Sequence, residues 1–347
     1  MKKFLLKVSV FIIYALALHI IVPLVIDPFN IFHAENIRDN GIQPNQNYIK
    51  MKYILDNPDL YNGFLFGSSR VGALHTDKIL GEKVYNLAYP NGLPAEHLAN
   101  ITTFLKNDIK PSVIYIGVDS LSYTEEMSDH IPEHLRCPYE VMRDDKAHFF
   151  SLYLNPFVAI RSLMLSRVEN SFFVSLEGFY NYGWTIPYGR NSKFDWEHNK
   201  IKPVIGRKFN DALLKNTLDD MRKIADLCYE HNIKLVVFTN PMYYVTYAAS
   251  LEKKYYDFLE GIAGITDFYN FSGFNTITLD RRKYREPSHY TAEIGDLIID
   301  IMCNGKAYPK LQAQGFGVKV TRENIKDFIN MLKQQAEDYR QKNSPAI

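Results

Sequence analysis

Two short stretches of this chain carry side chains that can do covalent chemistry together. The first is Gly67-Ser68-Ser69-Arg70, which follows directly on an apolar run at residues 63–66. A serine at the turn from a buried strand toward a helix projects at the sheet edge, and the helix N-terminus offers N–H donors to a developing oxyanion. The same placement is an ordinary helix N-cap, where serine is favoured for structural reasons alone. The second stretch is Glu286-Pro287-Ser288-His289-Tyr290. A carboxylate three residues before a histidine can hold it in one tautomer while the other ring nitrogen takes a serine proton. Glu-x-x-His by itself is a weak signal, and a surface histidine near a helix start is its commoner form. The order is more specific: a serine early, then a carboxylate and a histidine at the close of an α/β domain.

Such residues need a scaffold, and the intervening chain alternates β-rich runs with helical stretches, the signature of a parallel sheet. Strands are expected at residues 63–66, 83–88, 112–118, 234–239 and 266–271. Helices are expected at about 94–106, 210–229, 248–262 and 291–302, the first with Leu98, Ile101, Phe104 and Leu105 on one side. Residues 112–118 are nearly all apolar, as suits a strand covered on both faces. From 120 to about 207 the rhythm breaks into a Tyr-, Phe-, Pro- and Arg-rich stretch, read as an insertion with short helices. A last amphipathic helix is expected at 322–339, beyond a Gly-containing linker. Ligands of open α/β sheets bind outside the carboxyl ends of the strands. Ser68-Ser69, the segment after Ala88, Asp119 and Asn240 all fall at such ends.

Four blocks between Gly67 and His289 resemble the SGNH hydrolase superfamily, specifically its membrane-anchored envelope branch. That branch includes the D-alanyl transfer protein of teichoic acid synthesis and the alginate O-acetylation proteins. The likeness spans most of the chain beyond the N-terminal segment, leaving out the insertion and the C-terminal helix. The family's Gly-Asp-Ser block resembles Gly67-Ser68-Ser69, which implies that Ser69, not Ser68, is the nucleophile. Its glycine block resembles residues 84–92, ending Asn91-Gly92, which implies an oxyanion N–H from Gly92. Its Asp-x-x-His block resembles Glu286 to His289, with Glu286 orienting the histidine. One block departs. Where the family has Gly-x-Asn this chain reads Gly117-Val118-Asp119, and an ionised aspartate repels the oxyanion that an asparagine would assist. Either Asp119 pairs with Arg70, leaving Asn86 or Asn91 to complete the hole, or burial protonates it.

The resemblance implies a flavodoxin-like three-layer α/β/α fold with a parallel sheet of about five strands. Its α/β domain would comprise residues 28–119 and 208–303, with an insertion at 120–207 and a C-terminal extension at 304–347. It implies a serine acyl-ester hydrolase or O-acyltransferase working on an envelope polysaccharide without cofactor or metal. A membrane-bound O-acyltransferase would be the upstream acyl donor. In the insertion, Trp184, Tyr188 and Arg190 are candidate glycan contacts, as is Asn240 at its strand end; a Pro/Gly turn around a packed Trp explains the first three equally well. The competing function is a catalytically weakened assembly or glycan-binding protein on the same fold. A secreted lipase fits less well, because no amphipathic lid stands out.

The N-terminus is read from composition alone. Lys2, Lys3 and Lys7 precede residues 8–26, nineteen positions without a formal charge. As a helix that run is about 28 Å long, close to the thickness of a bilayer core. The basic flank places the N-terminus in the cytoplasm and the rest on the periplasmic or extracytoplasmic side, with residues 1–27 as the anchor. A cleaved signal peptide ending near Ala15-Leu16-Ala17 is the alternative, but the apolar run continues to Ile26, longer than a signal core needs. No other segment reaches eighteen apolar residues, which excludes a multi-pass transporter. With 40 basic and 39 acidic side chains there is no electrostatic footprint for nucleic acid. The 24 Tyr and 22 Phe suit either a sugar- or lipid-facing surface or an aromatic core. Cys137, Cys228 and Cys303 are an odd number without metal-ligand spacing, the last two falling in expected helices.

Overall fold

The computed structural model describes residues 1–35, 37–127, 133–165, 176–184, 194–206 and 209–343. The apolar runs become β1 (Gly63–Gly67), β2 (Val84–Asn86), β3 (Val113–Val118), β4 (Lys234–Thr239) and β5 (Phe268–Asn270). A separate two-stranded hairpin is made by β6 (Tyr284–Glu286) and β7 (His289–Tyr290). With β8 (Val318–Val320) the main sheet has six strands, ordered β2-β1-β3-β4-β5-β8. All pair in parallel except β8, which runs antiparallel to β5. Gly67 stands opposite Gly117 and Val118 opposite Thr239, so β1, β3 and β4 end level. That register brings Ser68, Asp119 and Asn240 to one edge of the sheet.

The helices in chain order are α1 (Lys2–Ile26), α2 (Gln46–Asp56), α3 (Pro94–Lys106), α4 (Leu121–Thr124), α5 (Tyr139–Asp144), α6 (Lys146–Tyr153) and α7 (Pro156–Leu165). There follow α8 (Leu176–Tyr182), α9 (Asp211–Glu230), α10 (Tyr244–Leu251), α11 (Tyr255–Ala263), α12 (Ala292–Met302), α13 (Pro309–Gln312) and α14 (Ile325–Asn343). Strand side chains alternate between faces, and here they alternate between two apolar clusters. Phe64, Phe66, Ile114, Ile116 and Val237 pack with Phe104 of α3, Met221 of α9, Phe258 of α11 and Leu332 of α14. Leu65, Val113, Tyr115 and Phe238 pack instead with Ile294 and Ile298 of α12. A third cluster joins Phe29, Ile31, Tyr48 and Ile49 to Phe149, Tyr153 and Phe179 from the short helices after β3.

One expectation needs correction. The helix expected at 248–262 is two helices, α10 and α11, broken where Lys254 takes a left-handed φ of 55°. Among the described residues, the C-terminal stretch 304–343 also joins the core. β8 extends the sheet, and Val320, Ile325, Phe328, Ile329 and Leu332 enter the same cluster as β1 and β3. A three-residue strand with lysine at its centre is too short for its alternation to register.

Within the described residues, α1 is the helix long and apolar enough to cross a membrane. It stops at Asp27, itself left-handed at φ 47°, whose buried carboxylate accepts the N–H groups of Ile31, Phe32 and His33. The junction between helix and domain is therefore built on fixed hydrogen bonds.

Candidate active site

Strand β1 delivers the serines. A Cβ at Gly67 would sit 2.8 Å from Val71 Cγ2 and 3.0 Å from the Gly117 carbonyl oxygen, so only glycine lets the chain turn this tightly over β3. The turn is a 3-10 helix, residues Ser69–Ala73. Ser68 is its N-cap: its buried Oγ accepts the Arg70 N–H at 3.4 Å and donates to Asp119 Oδ2 at 3.2 Å. Ser69 is only partly buried, and its Oγ lies 2.8 Å from His289 Nε2.

The hairpin delivers the histidine. Pro287 and Ser288 form its two-residue turn, and Glu286 and His289 are register partners across it. A separation of three in sequence thus becomes direct opposition in space. Glu286 Oε1 is hydrogen-bonded to His289 Nδ1, and Oε2 accepts the Ser288 N–H at 2.8 Å. An ionised carboxylate only accepts, so Nδ1 carries the proton and Nε2 presents its lone pair to the Ser69 hydroxyl. Burial opposes the charge on Glu286. The His289 bond and charge, the Ser288 N–H and nearby Arg70 together outweigh it and hold the carboxyl below its ordinary value.

Because the folded pKa is depressed, the stabilisation from this carboxylate is complete above the unfolded value and is lost as pH falls through the folded one. Glu286→Gln removes that linkage and leaves the wrong ring nitrogen protonated. We expect a turnover loss on the order of 10³ to 10⁴ and a flatter acid limb in thermal unfolding, read by melting scans from neutral pH into the acid range.

Behind Ser69, the Arg70 guanidinium is 1% exposed and ties three segments together. Nη1 lies 2.5 Å from Asp119 Oδ1, Nε donates to the Ser288 carbonyl at 3.2 Å, and Nη2 donates to the Val204 carbonyl at 2.8 Å. Asp119 also accepts from Asn240 Nδ2 at 3.0 Å and from the Leu121 N–H at 2.9 Å. Asp119 thus pairs with Arg70.

The other residues singled out fall in different places. Gly92 lies against the end of β1, where a Cβ would come within 2.6 Å of the Gly67 carbonyl oxygen, and its N–H already makes a long 3.3 Å bond to Tyr89. Asn91 donates its amide to Glu125 Oε2 at 3.2 Å. Asn86 is wholly buried and spends both ends of its amide on the backbone of Val71, Leu74 and Ala88. Asn240 is 0% exposed, with its amide shared between Asp119 and the Tyr290 hydroxyl. Trp184 is packed over Gly178 and against the His75 ring at 4.5 Å, away from the serine–histidine pair in its contacts. Tyr188 and Arg190 lie outside the described residues.

The chain matches no protein-family model, no curated protein and no solved structure. What it can do chemically is therefore read from the side chains alone. Glu286, His289 and Ser69 form one hydrogen-bonded line that ends on a partly exposed hydroxyl, the arrangement that lets a serine lose its proton as it attacks.

One contributor to the site, Ser288, was not legible beforehand. Ser288 serves both sides of the site, its N–H on Glu286 and its carbonyl on Arg70. A cleft of about 330 Å³ beside the hairpin is lined by Trp196, Arg281 and Tyr284. Trp196 stacks edge-on to Tyr243 at 5.3 Å. Its placement depends on β6, a strand too short to be seen in the sequence.

Proposed function

We propose that this chain is a membrane-anchored, SGNH-type serine acyl-ester hydrolase or O-acyltransferase acting on an envelope polysaccharide. The single observation carrying the reading is the Glu286–His289–Ser69 line, with the serine oxygen 2.8 Å from the histidine nitrogen. The parallel sheet supports a flavodoxin-like, three-layer fold. The short helices between β3 and α9 support an insertion that shapes the substrate site. The basic flank of α1 supports an extracytoplasmic domain.

Ser69 Oγ attacks an ester carbonyl while its proton passes to His289 Nε2. The tetrahedral adduct collapses, His289 returns the proton to the departing alcohol, and an acyl group remains on Ser69. Water or a sugar hydroxyl then gives its proton to His289 as it attacks the acyl carbonyl, the bond to Ser69 Oγ breaks, and His289 returns the proton to Ser69. The Ser69 N–H, at the start of the 3-10 turn, and the Gly92 N–H, once it exchanges its long 3.3 Å bond to the Tyr89 carbonyl for the substrate, are the donors proposed for the oxyanion. Arg70 answers the objection raised by aspartate at 119, because a guanidinium 2.5 Å from the carboxylate neutralises its field at the developing oxyanion.

The test uses the full chain in detergent with p-nitrophenyl acetate as donor, with and without a polysaccharide acceptor. Expected are nitrophenolate release and an acetyl adduct on the Ser69 peptide by mass spectrometry. An acceptor that draws acetyl away from water identifies a transferase. An adduct on any other residue, with Ser69 unmodified, overturns the reading.

A further inference from the structure

We infer that α7 is a second membrane contact, resting its exposed apolar face on the bilayer surface beside the point where α1 leaves it. This rests on the reading of α1 as a membrane-spanning helix. Phe157, Ile160 and Met164 of α7 are 80%, 51% and 62% exposed. Their spacing of three and four residues sets them on one side of a helix, while the buried Ala159 and Ser162 face the other way. Leu163 is half exposed beside them, and the exposed Arg161 flanks the stripe. Exposed apolar residues elsewhere in the domain, such as Leu60, Leu80 and Leu279, stand singly, which needs no explanation. A cluster on one short helix does.

The occupant follows from where α7 is held. It packs against α1. Ser162 Oγ donates to the Asn40 carbonyl at 3.0 Å, and Asn40 Nδ2 donates to the carbonyl of Asp27, the residue that ends α1, also at 3.0 Å. Gly41, at φ 74°, has no room for a Cβ, which would meet Leu165 Cβ at 2.5 Å. These contacts fasten α7 to the last turns of α1, so its apolar face continues the lipid-facing surface of that helix. A bilayer that holds α1 meets this face. At ten residues α7 is too short to span. An apolar stripe with a flanking cation suits the interface between headgroups and acyl chains. Attachment at α1 and α7 together limits rotation of the domain about a single tether.

The test uses the full chain in phosphatidylcholine–phosphatidylglycerol vesicles, in a Cys303→Ser background. An environment-sensitive fluorophore is placed at Ile160→Cys, with Leu16→Cys and Tyr229→Cys as references. All three positions are exposed, so labelling leaves the core intact. Lipid nitroxides placed high on the acyl chain should quench the 160 probe at least about twofold and leave the 229 probe unchanged. Deep nitroxides should quench the probe at 16. Quenching at 16 without quenching at 160 overturns the second contact and leaves the anchor standing. No quenching at 16 overturns the anchor reading and the inference with it. A blue shift at 160 that depends on protein density and not on nitroxide lipid assigns the face to a second copy, which also overturns it.

Discussion

Ser69→Ala abolishes labelling of the chain by a fluorophosphonate probe, whereas Ser68→Ala leaves labelling in place. The two serines are neighbours, yet their surroundings differ in kind. Ser68 is 3% exposed and its hydroxyl is engaged on both sides, accepting from the Arg70 N–H and donating to Asp119. Its proton points to a carboxylate already paired with Arg70, which is no base for a nucleophile in this geometry. Ser69 has His289 Nε2 at 2.8 Å, and that nitrogen is kept free of a proton by Glu286 on the far side of the ring. Removing the nucleophile of such a unit costs roughly 10⁴ to 10⁶ in turnover. Losing the N-cap at Ser68 costs about 1 kcal/mol of stability instead. Gel fluorescence after labelling separates the two. Labelling that survives at Ser69→Ala and disappears at Ser68→Ala would reverse the assignment.

The second large effect is on stability. Arg70→Ala lowers the unfolding free energy by about 3 to 5 kcal/mol, because it leaves a buried carboxylate without its cation. Both side chains of the pair are 1% exposed, so water cannot replace the lost partner. The damage reaches the chemistry as well, since the same guanidinium holds the Ser288 carbonyl in the turn between Glu286 and His289. Adding Asp119→Asn to Arg70→Ala should recover part of the stability by removing the stranded charge. It should not recover activity, because the Ser288 contact stays lost. Chemical unfolding in detergent, run as a double-mutant cycle, measures the coupling. A loss in the double variant equal to the sum of the Arg70→Ala and Asp119→Asn losses would mean that the pair contributes nothing beyond its separate contacts.

Local patterns carried much of the architecture. The strands β1, β3 and β4 lie where continuous apolar runs place them, because a buried parallel strand must be apolar on both faces. Helices α3 and α9 follow from the spacing of their apolar positions, and α1 from length and lack of charge. Each depends on residues only a few positions apart. The short elements escaped for the same reason: β6, β7 and β8 have two or three residues each, too few for any period to appear. The break between α10 and α11 escaped too, since one left-handed lysine leaves no compositional trace.

The turn that carries Ser68 and Ser69 shows the division most clearly. Gly67-Ser68-Ser69 by itself determines a turn at the end of a strand, because the glycine and the capping serine act on their immediate neighbours. Which serine faces the histidine is decided only in three dimensions. Val71 packs over Gly117 and sets the rotation of the turn, Arg70 draws Ser68 toward Asp119, and a two-residue hairpin carries His289 across 220 positions of sequence. That distance is closed by the shared register of β1, β3 and β4 and by packing of the hairpin onto them. No run of neighbouring residues encodes it.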